Sequence, residues 1–393
     1  MKLYLDAVGT TSSGSAVVLW NLLYHLLGVA PEVDMHVFLL PQTQRSFRRL
    51  VESNRILYRE IHGAQTAAGR LLWQQVRLPL LCRREQPAVL MSVTNVGALF
   101  PAVPQVIYCH QALLFFKDEA IPYTARQRMR ASVYKTLAIK SMKKSAFVIA
   151  QTHAMRDIIL RETGLAPERV VVVYPGVPVG APASVSDRGD WRHCLEKIAS
   201  CALPKIVYVS HPSEHKNFEV LLRATAVLKR RGIEVLTVLT LARDGVSDAR
   251  YMGFVRRFEQ LIDELEIDSN VLWTGILPNE AIVPLIRSTD LFVFPSLVES
   301  FPQPLAEALS CGAAMVLADR PYAREIAGEA AVYFDPYQPE DLAQKVCAVL
   351  SDESLRAALR ERALKRARSF SYESCARQIW DILQQASLTG RRY

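Results

Sequence analysis

Leu291-Phe-Val-Phe-Pro-Ser-Leu-Val-Glu299-Ser-Phe-Pro-Gln303-Pro-Leu-Ala-Glu307-Ala-Leu-Ser-Cys-Gly312 is the stretch on which the fold turns. The run from Leu291 to Phe294 is short and apolar throughout, which fits a strand buried on both faces of a parallel sheet. Pro304 suits the first turn of a helix, where its missing N–H costs nothing. On that register Glu307 falls in the first turn, near the positive end of the helix dipole, and Glu299 in the loop at the carboxyl end of the strand. Open α/β sheets bind ligands at that edge. A glutamate in a first helical turn is by itself often only a dipole partner contributing about 0.3–1 kcal/mol, so its meaning depends on its surroundings.

Outward from this segment, strand-like runs alternate with helical patterns from end to end, the mark of α/β architecture with parallel sheets. In the first half the strands read Lys2 to Ala7, Asp34 to Leu40, Val89 to Val93, Val106 to Cys109, Phe147 to Ala150 and Val170 to Tyr174. In the second half they read Lys205 to Ser210, Val235 to Leu241, Val271 to Thr274, Leu291 to Phe294, Ala313 to Ala318 and Ala331 to Tyr333. Two sheets of similar size imply two Rossmann-like domains, as does a length of 393 residues. A Gly-, Pro- and Ser-rich stretch from Gly176 to Asp190 marks the linker. The expected division is a domain over 1–180, a linker over 181–203, a second domain over 204–371 and a final helical segment over 372–393.

A hydrophobic content of 50% and a mean hydropathy of +0.09 indicate an ordered globular chain. The apolar stretch from Ala16 to Ala30 is broken by Asn21 and His25 and is too short to span a membrane, so it reads as a buried helix. Met1 to Asp6 reads as a first strand rather than a secretory signal, which predicts a cytoplasmic protein. Seven cysteines, odd in number and without a C-x-x-C pair, point to neither a disulfide framework nor a zinc site. Cys109 beside His110 reads as core rather than as a nucleophile.

A net charge of +8 calls for an anionic partner. Nine arginines lie between Arg45 and Arg84, against Glu52 and Glu60. A second stretch, Arg126 to Lys144, has seven basic residues and no acid. There Met129, Val133 and Leu137 recur every four residues while Arg126 and Arg130 share another face, an amphipathic basic helix suited either to solvent or to anionic lipid headgroups. Only Tyr134 interleaves with those charges, so a nucleic-acid platform is disfavoured.

The segment Phe294 to Gly312 resembles the E-x7-E signature of GT-B glycosyltransferases, specifically the retaining family 4 (group 1) enzymes. The resemblance implies two Rossmann-like domains facing each other across a cleft, an acceptor-binding first domain, a donor-binding second domain, and a C-terminal helix over 372–393 that crosses back to the first. It implies a retaining, metal-independent transfer of a sugar from a nucleotide-diphosphate donor to a glycan or lipid-linked acceptor. That transfer fits bacterial polysaccharide or lipopolysaccharide biosynthesis at the inner face of the membrane, with Arg126, Arg130 and Lys140 touching anionic lipid. No cofactor is expected, and no Asp-x-Asp metal motif occurs.

Residue by residue, the resemblance gives Glu307 the ribose hydroxyls and Glu299 the hydroxyls of the transferred sugar. Lys216 neutralises the leaving diphosphate, and His110, at a strand end, sits near the anomeric centre. Gly14 and Ser15, in the loop after the first strand, face the β-phosphate or acceptor. Further donor contacts fall to Ser210, His211, Ser300, Phe301, Gln303 and Leu305. Two departures stand out: Ser210-His211 replaces the family's usual Gly-Arg, and Pro302 removes an N–H from the loop after Glu299. These departures keep two alternatives open, another GT-B activity on a soluble acceptor (or an epimerase), and a non-catalytic nucleotide-sugar-binding partner.

Overall fold

The computed structural model describes residues 1–10, 13–44, 56–116, 125–177 and 191–389. The chain divides into two compact units, Met1–Pro182 with Phe370–Tyr393, and Ala183–Ser369. In the first unit β1 (Lys2–Asp6), β2 (Asp34–Leu39), β3 (Ile56–Glu60), β4 (Val89–Ser92), β5 (Gln105–Cys109), β6 (Phe147–Ala150) and β7 (Val170–Val172) form a parallel sheet in the order β3-β2-β1-β4-β5-β6-β7. The second carries β8 (Lys205–Tyr208), β9 (Leu236–Leu239), β10 (Val271–Trp273), β11 (Leu291–Phe294), β12 (Met315–Ala318) and β13 (Val332–Phe334), in the order β10-β9-β8-β11-β12-β13. Strand order therefore reverses between β1 and β4 in one unit and between β8 and β11 in the other, the points at which such sheets open a ligand crevice.

β3 is the strand that apolar patterning does not reveal. It is an edge strand, Leu57 is exposed, and Arg59 turns to a two-pronged bond with Glu85. Charge on an edge strand discourages pairing with other chains, at the expense of a readable hydrophobic run.

One face of the first sheet is covered by the helix Ser13–Val29 and by the C-terminal helix Tyr372–Leu388. The first of these is amphipathic rather than wholly buried: Leu19, Leu22, Leu23 and Leu26 face the core while Tyr24 is exposed. Tyr372–Leu388 adds Cys375, Ala376, Ile379, Ile382 and Leu383 to the same core, each large aliphatic contributing about 1.5–3 kcal/mol. Its entry is tight. A side-chain carbon on Gly176 would lie 2.0 Å from the Tyr372 nitrogen, and the Val177 N–H donates to the Phe370 carbonyl beside it. The other face is covered by a helical run over 67–85 that packs Trp73, Leu78 and Cys82 on Tyr4, Phe38 and Leu90.

Two expectations change. The later part of the stretch 181–203 is not a loose linker, because Trp191–Ser200 is a helix with Ile198 fully buried in the second unit; residues 178–190 lie outside those described. In the basic helix Ala125–Lys143, Met129 and Val133 are 64% and 56% exposed, so the expected apolar stripe is not packed away. Ala138, Ser141 and Met142 seat that helix instead.

Candidate functional site

The helix after β11 begins at Gln303, with Pro304 in its first turn and Pro302 as its cap residue. Glu307 is thus its fifth residue, one position deeper than a start at Pro304 would put it and so just past the first turn. A dipole role fades beyond the first turn. Burial instead dominates its chemistry, pushing the carboxyl up to about 8. Among the described residues the Glu307 carboxylate has no hydrogen-bond or ion-pair partner. A desolvated carboxylate without a partner at the edge of a switch-point strand suits a ligand hydroxyl.

Glu299 lies in the loop between β11 and this helix and meets Lys216, which follows β8. Lys216 Nζ lies 2.5 Å from Glu299 Oε1, and the Ser296 hydroxyl donates to the same oxygen at 2.6 Å. Both charged side chains are largely buried, and Lys216 lies over the Phe294 ring. The two loops are sewn together beneath the pair. His215 O accepts from the Leu297 N–H and the Ser296 hydroxyl, and the Tyr208 hydroxyl donates to Lys216 O. Asn217, in the left-handed region at φ 52°, spans to the carbonyls of Pro295 and Pro336. Burial and the neighbouring Lys216 charge hold the His215 imidazole down at about 4, so this floor is neutral and the lysine supplies its positive charge.

The remaining positions in this unit take different places. Ser300 and Phe301 are buried in the loop. Gln303 has both side-chain amide atoms buried without a hydrogen-bond partner. Leu305 is fully buried and its N–H bonds to Pro302 O, so it belongs to the core and not to the groups open to a ligand. Ser210 is held through its N–H by Thr240 Oγ1. His211 packs edge-on against Tyr251, with its pKa lowered chiefly by burial; a neutral ring there does not replace the charge of an arginine.

His110, Gly14 and Ser15 belong to the first unit. The helix opens at Ser13, earlier than expected, placing Gly14 and Ser15 in its first turn; residues 11 and 12 and the side chains of 13–15 lie outside those described. His110 follows β5, and burial lowers its pKa to about 4, so it works as a neutral imidazole. Buried Asn95 fixes its backbone: Oδ1 accepts from the N–H groups of His110 and Gln111 at 3.1 and 3.2 Å, and Nδ2 donates to Gln111 O at 2.8 Å. A recess of about 10 Å³ lies between Thr10, Tyr108, His110 and the Ser13–Val29 helix, too small for a sugar ring. Cys109 is buried, which pushes its thiol far up and leaves it core.

Asn95, Ser296 and Asn217 were not singled out in the sequence. The available signal was their place: each follows closely on a strand or turn at a switch point.

Two family profiles match this chain: Glycosyl transferases group 1 over residues 202–366 and Glycosyltransferase Family 4 over residues 12–180. With its two Rossmann-like sheets, the chain belongs to the GT-B glycosyltransferases of this family. Among curated relatives, the D-inositol 3-phosphate glycosyltransferase of Corynebacterium kroppenstedtii is 29% identical over 62% of this chain and 54% of its own length. The O-antigen chain mannosyltransferase B of Escherichia coli is 30% identical over 30% of this chain and 31% of its own. The chain thus matches about half or less of those relatives' length. Solved structures share the fold at lower identity. Anabaena Alr3699/HepE in complex with UDP-glucose has a TM-score of 0.74 and 19% identity, with 98% of this chain and 100% of that one covered. WaaG, a glycosyltransferase involved in lipopolysaccharide biosynthesis, has a TM-score of 0.64 and 15% identity, with 99% and 100% covered.

Proposed function

We propose that this protein transfers a sugar from a nucleotide-diphosphate donor to a glycan or lipid-linked acceptor, with retention and without a metal, in bacterial polysaccharide or lipopolysaccharide assembly. The observation that carries this reading is the meeting of Lys216 and Glu299 where β8 and β11 part, with the unpartnered Glu307 carboxylate in the helix that follows. In the structure Lys216 is neutralised by Glu299. On this reading the incoming diphosphate takes over the lysine, and Glu299 is released toward the sugar hydroxyls. Exchange of one anionic partner for another keeps a buried cation paired throughout, which limits its desolvation cost.

Positive charge from Lys216 and helix N-termini then steadies the leaving phosphate as the anomeric bond breaks. The departing phosphate accepts the acceptor's proton in a front-face displacement, and neutral His110 serves as a hydrogen-bonding group rather than as an acid. Arg130 and Lys140, exposed on the helix Ala125–Lys143, face an anionic membrane surface, and Arg126, whose side chain lies outside those described, belongs to the same proposed contact.

The decisive experiment is thermal stabilisation by UDP, GDP, ADP and dTDP, in the native chain and in Glu307→Ala. A specific ligand raises the unfolding midpoint by mass action. One nucleotide should stabilise the native chain and fail with the variant; absence of stabilisation by all four would sink the proposal.

A further inference from the structure

The helical run over 67–85 carries a surface that the donor site does not use. It consists of Ala67–Leu72, a π-helical turn Trp73–Arg77 closed by the Leu78 N–H on Trp73 O, and Leu78–Glu85. In an α-helix of 3.6 residues per turn, positions four apart drift by about 40° at each step. The wider π turn absorbs that drift, so four-residue spacing stays on one line. Both faces show it. Gln74, Leu78 and Cys82 are buried, at 2%, 1% and 0% exposure, while Leu72, Val76 and Leu80 stand out at 47%, 46% and 58%.

Charge frames this apolar line. Arg77, Arg83 and Arg84 are exposed around it, and no acidic residue occurs between Glu60 and Glu85. Glu85 itself is shared by Arg59, Lys2 and Arg84. The surface continues across the loop between β4 and β5. Gln75 donates to Gly97 O and accepts from the Leu99 N–H, and the next residue, Phe100, is 80% exposed. The Gly97 N–H donates to Ser141 of the basic helix Ala125–Lys143, which exposes Met129, Val133, Arg128 and Arg130. One loop is therefore bonded to two cationic helices, each with uncovered aliphatic side chains.

We propose that Leu72, Val76, Leu80 and Phe100 enter the headgroup region of an anionic bilayer, with Arg77, Arg83 and Arg84 on its phosphates. Aliphatic and aromatic groups on a net cationic face, whose one neighbouring carboxylate, Glu85, is shared among Arg59, Lys2 and Arg84, match the requirements of an interfacial helix. A partner protein of mixed charge has no counterpart for so uniform a frame. The proposal rests on the lipid-linked acceptor reading and deepens it, moving the seat of membrane contact from the basic helix alone to the β3–β4 connection.

The test is flotation of the full chain with vesicles of phosphatidylcholine, alone or mixed with phosphatidylglycerol. The native protein should float with the mixed vesicles only. The combined variant Leu72→Ser, Val76→Ser, Leu80→Ser should lose about tenfold or more in vesicle affinity, and Arg77→Gln with Arg84→Gln should lose the preference for phosphatidylglycerol. Unchanged nucleotide stabilisation in these variants establishes that they fold. It also separates this idea from the donor reading, since nucleotide stabilisation without vesicle binding by the native chain overturns the docking surface and leaves the transferase standing. Equal flotation of native and triple-Ser protein overturns it as well. So does self-association that the triple-Ser variant abolishes, because the stripe would then be covered by a second copy.

Discussion

In Glu307 burial acts directly on chemistry. Its carboxyl is raised from the ordinary 4.5 to about 8, so the folded chain holds a proton that the unfolded chain releases between those values. The contribution is complete below about pH 4.5 and is lost as pH climbs through 8, on the order of a few kcal/mol. Thermal midpoints across this window should fall with pH in the native chain and flatten in Glu307→Gln. Nucleotide affinity should move the other way, rising toward pH 8 as the carboxylate becomes a better acceptor for ribose hydroxyls; a slope surviving in Glu307→Gln would assign it to another group. Lys216→Ala should lower turnover by roughly 10²–10³, the scale for loss of one preorganised charge-stabilising group. Asn95→Ala leaves two N–H groups and a carbonyl without their partner, about 1–3 kcal/mol for each buried group left unmatched. It should lower both kcat and the unfolding midpoint, whereas an exposed substitution such as Arg130→Ala should leave the midpoint unchanged.

At the scale of elements, legibility followed burial. β11 and the helix after it were readable because an uninterrupted apolar run and a well-placed proline each have one structural meaning. β3 was not, since Arg59 and Glu60 answer to an edge position rather than to a core. Glu299 and Lys216 could be named individually, but their 2.5 Å pairing depends on how β8 and β11 adjoin, a relation between segments more than eighty residues apart. The registration of Glu307 slipped by one residue, enough to leave the first turn, because Pro302 caps the helix and Gln303 starts it, so the proline nearer the glutamate does not mark the beginning. The Tyr372–Leu388 helix offers an elemental test. Gly176→Ala places a carbon against the Tyr372 backbone and should loosen that helix, seen as faster amide exchange in it with little change in the second unit.

For the whole molecule, +8 charges and a pI near 9.1 set how it meets its surroundings. Vesicle binding should weaken as salt is raised from about 0.05 to 0.5 M, because exposed arginines act through a screened field. Transfer should survive chelation with EDTA if Lys216 carries the leaving-group charge; loss of activity restored by manganese would sink the metal-independent reading. Among the described residues no helix is long and apolar enough to cross a membrane. The C-terminal helix adds a consequence in time. Ile379, Ile382 and Leu383 complete a core whose other members, Leu3, Leu22 and Met35 among them, leave the ribosome first. During synthesis the opening sheet must wait, one face covered only by the Ser13–Val29 helix, until the second unit has been made and the last turns emerge. A chain stalled before residue 372 would leave the cell with an exposed apolar face, a ready target for chaperones and proteases.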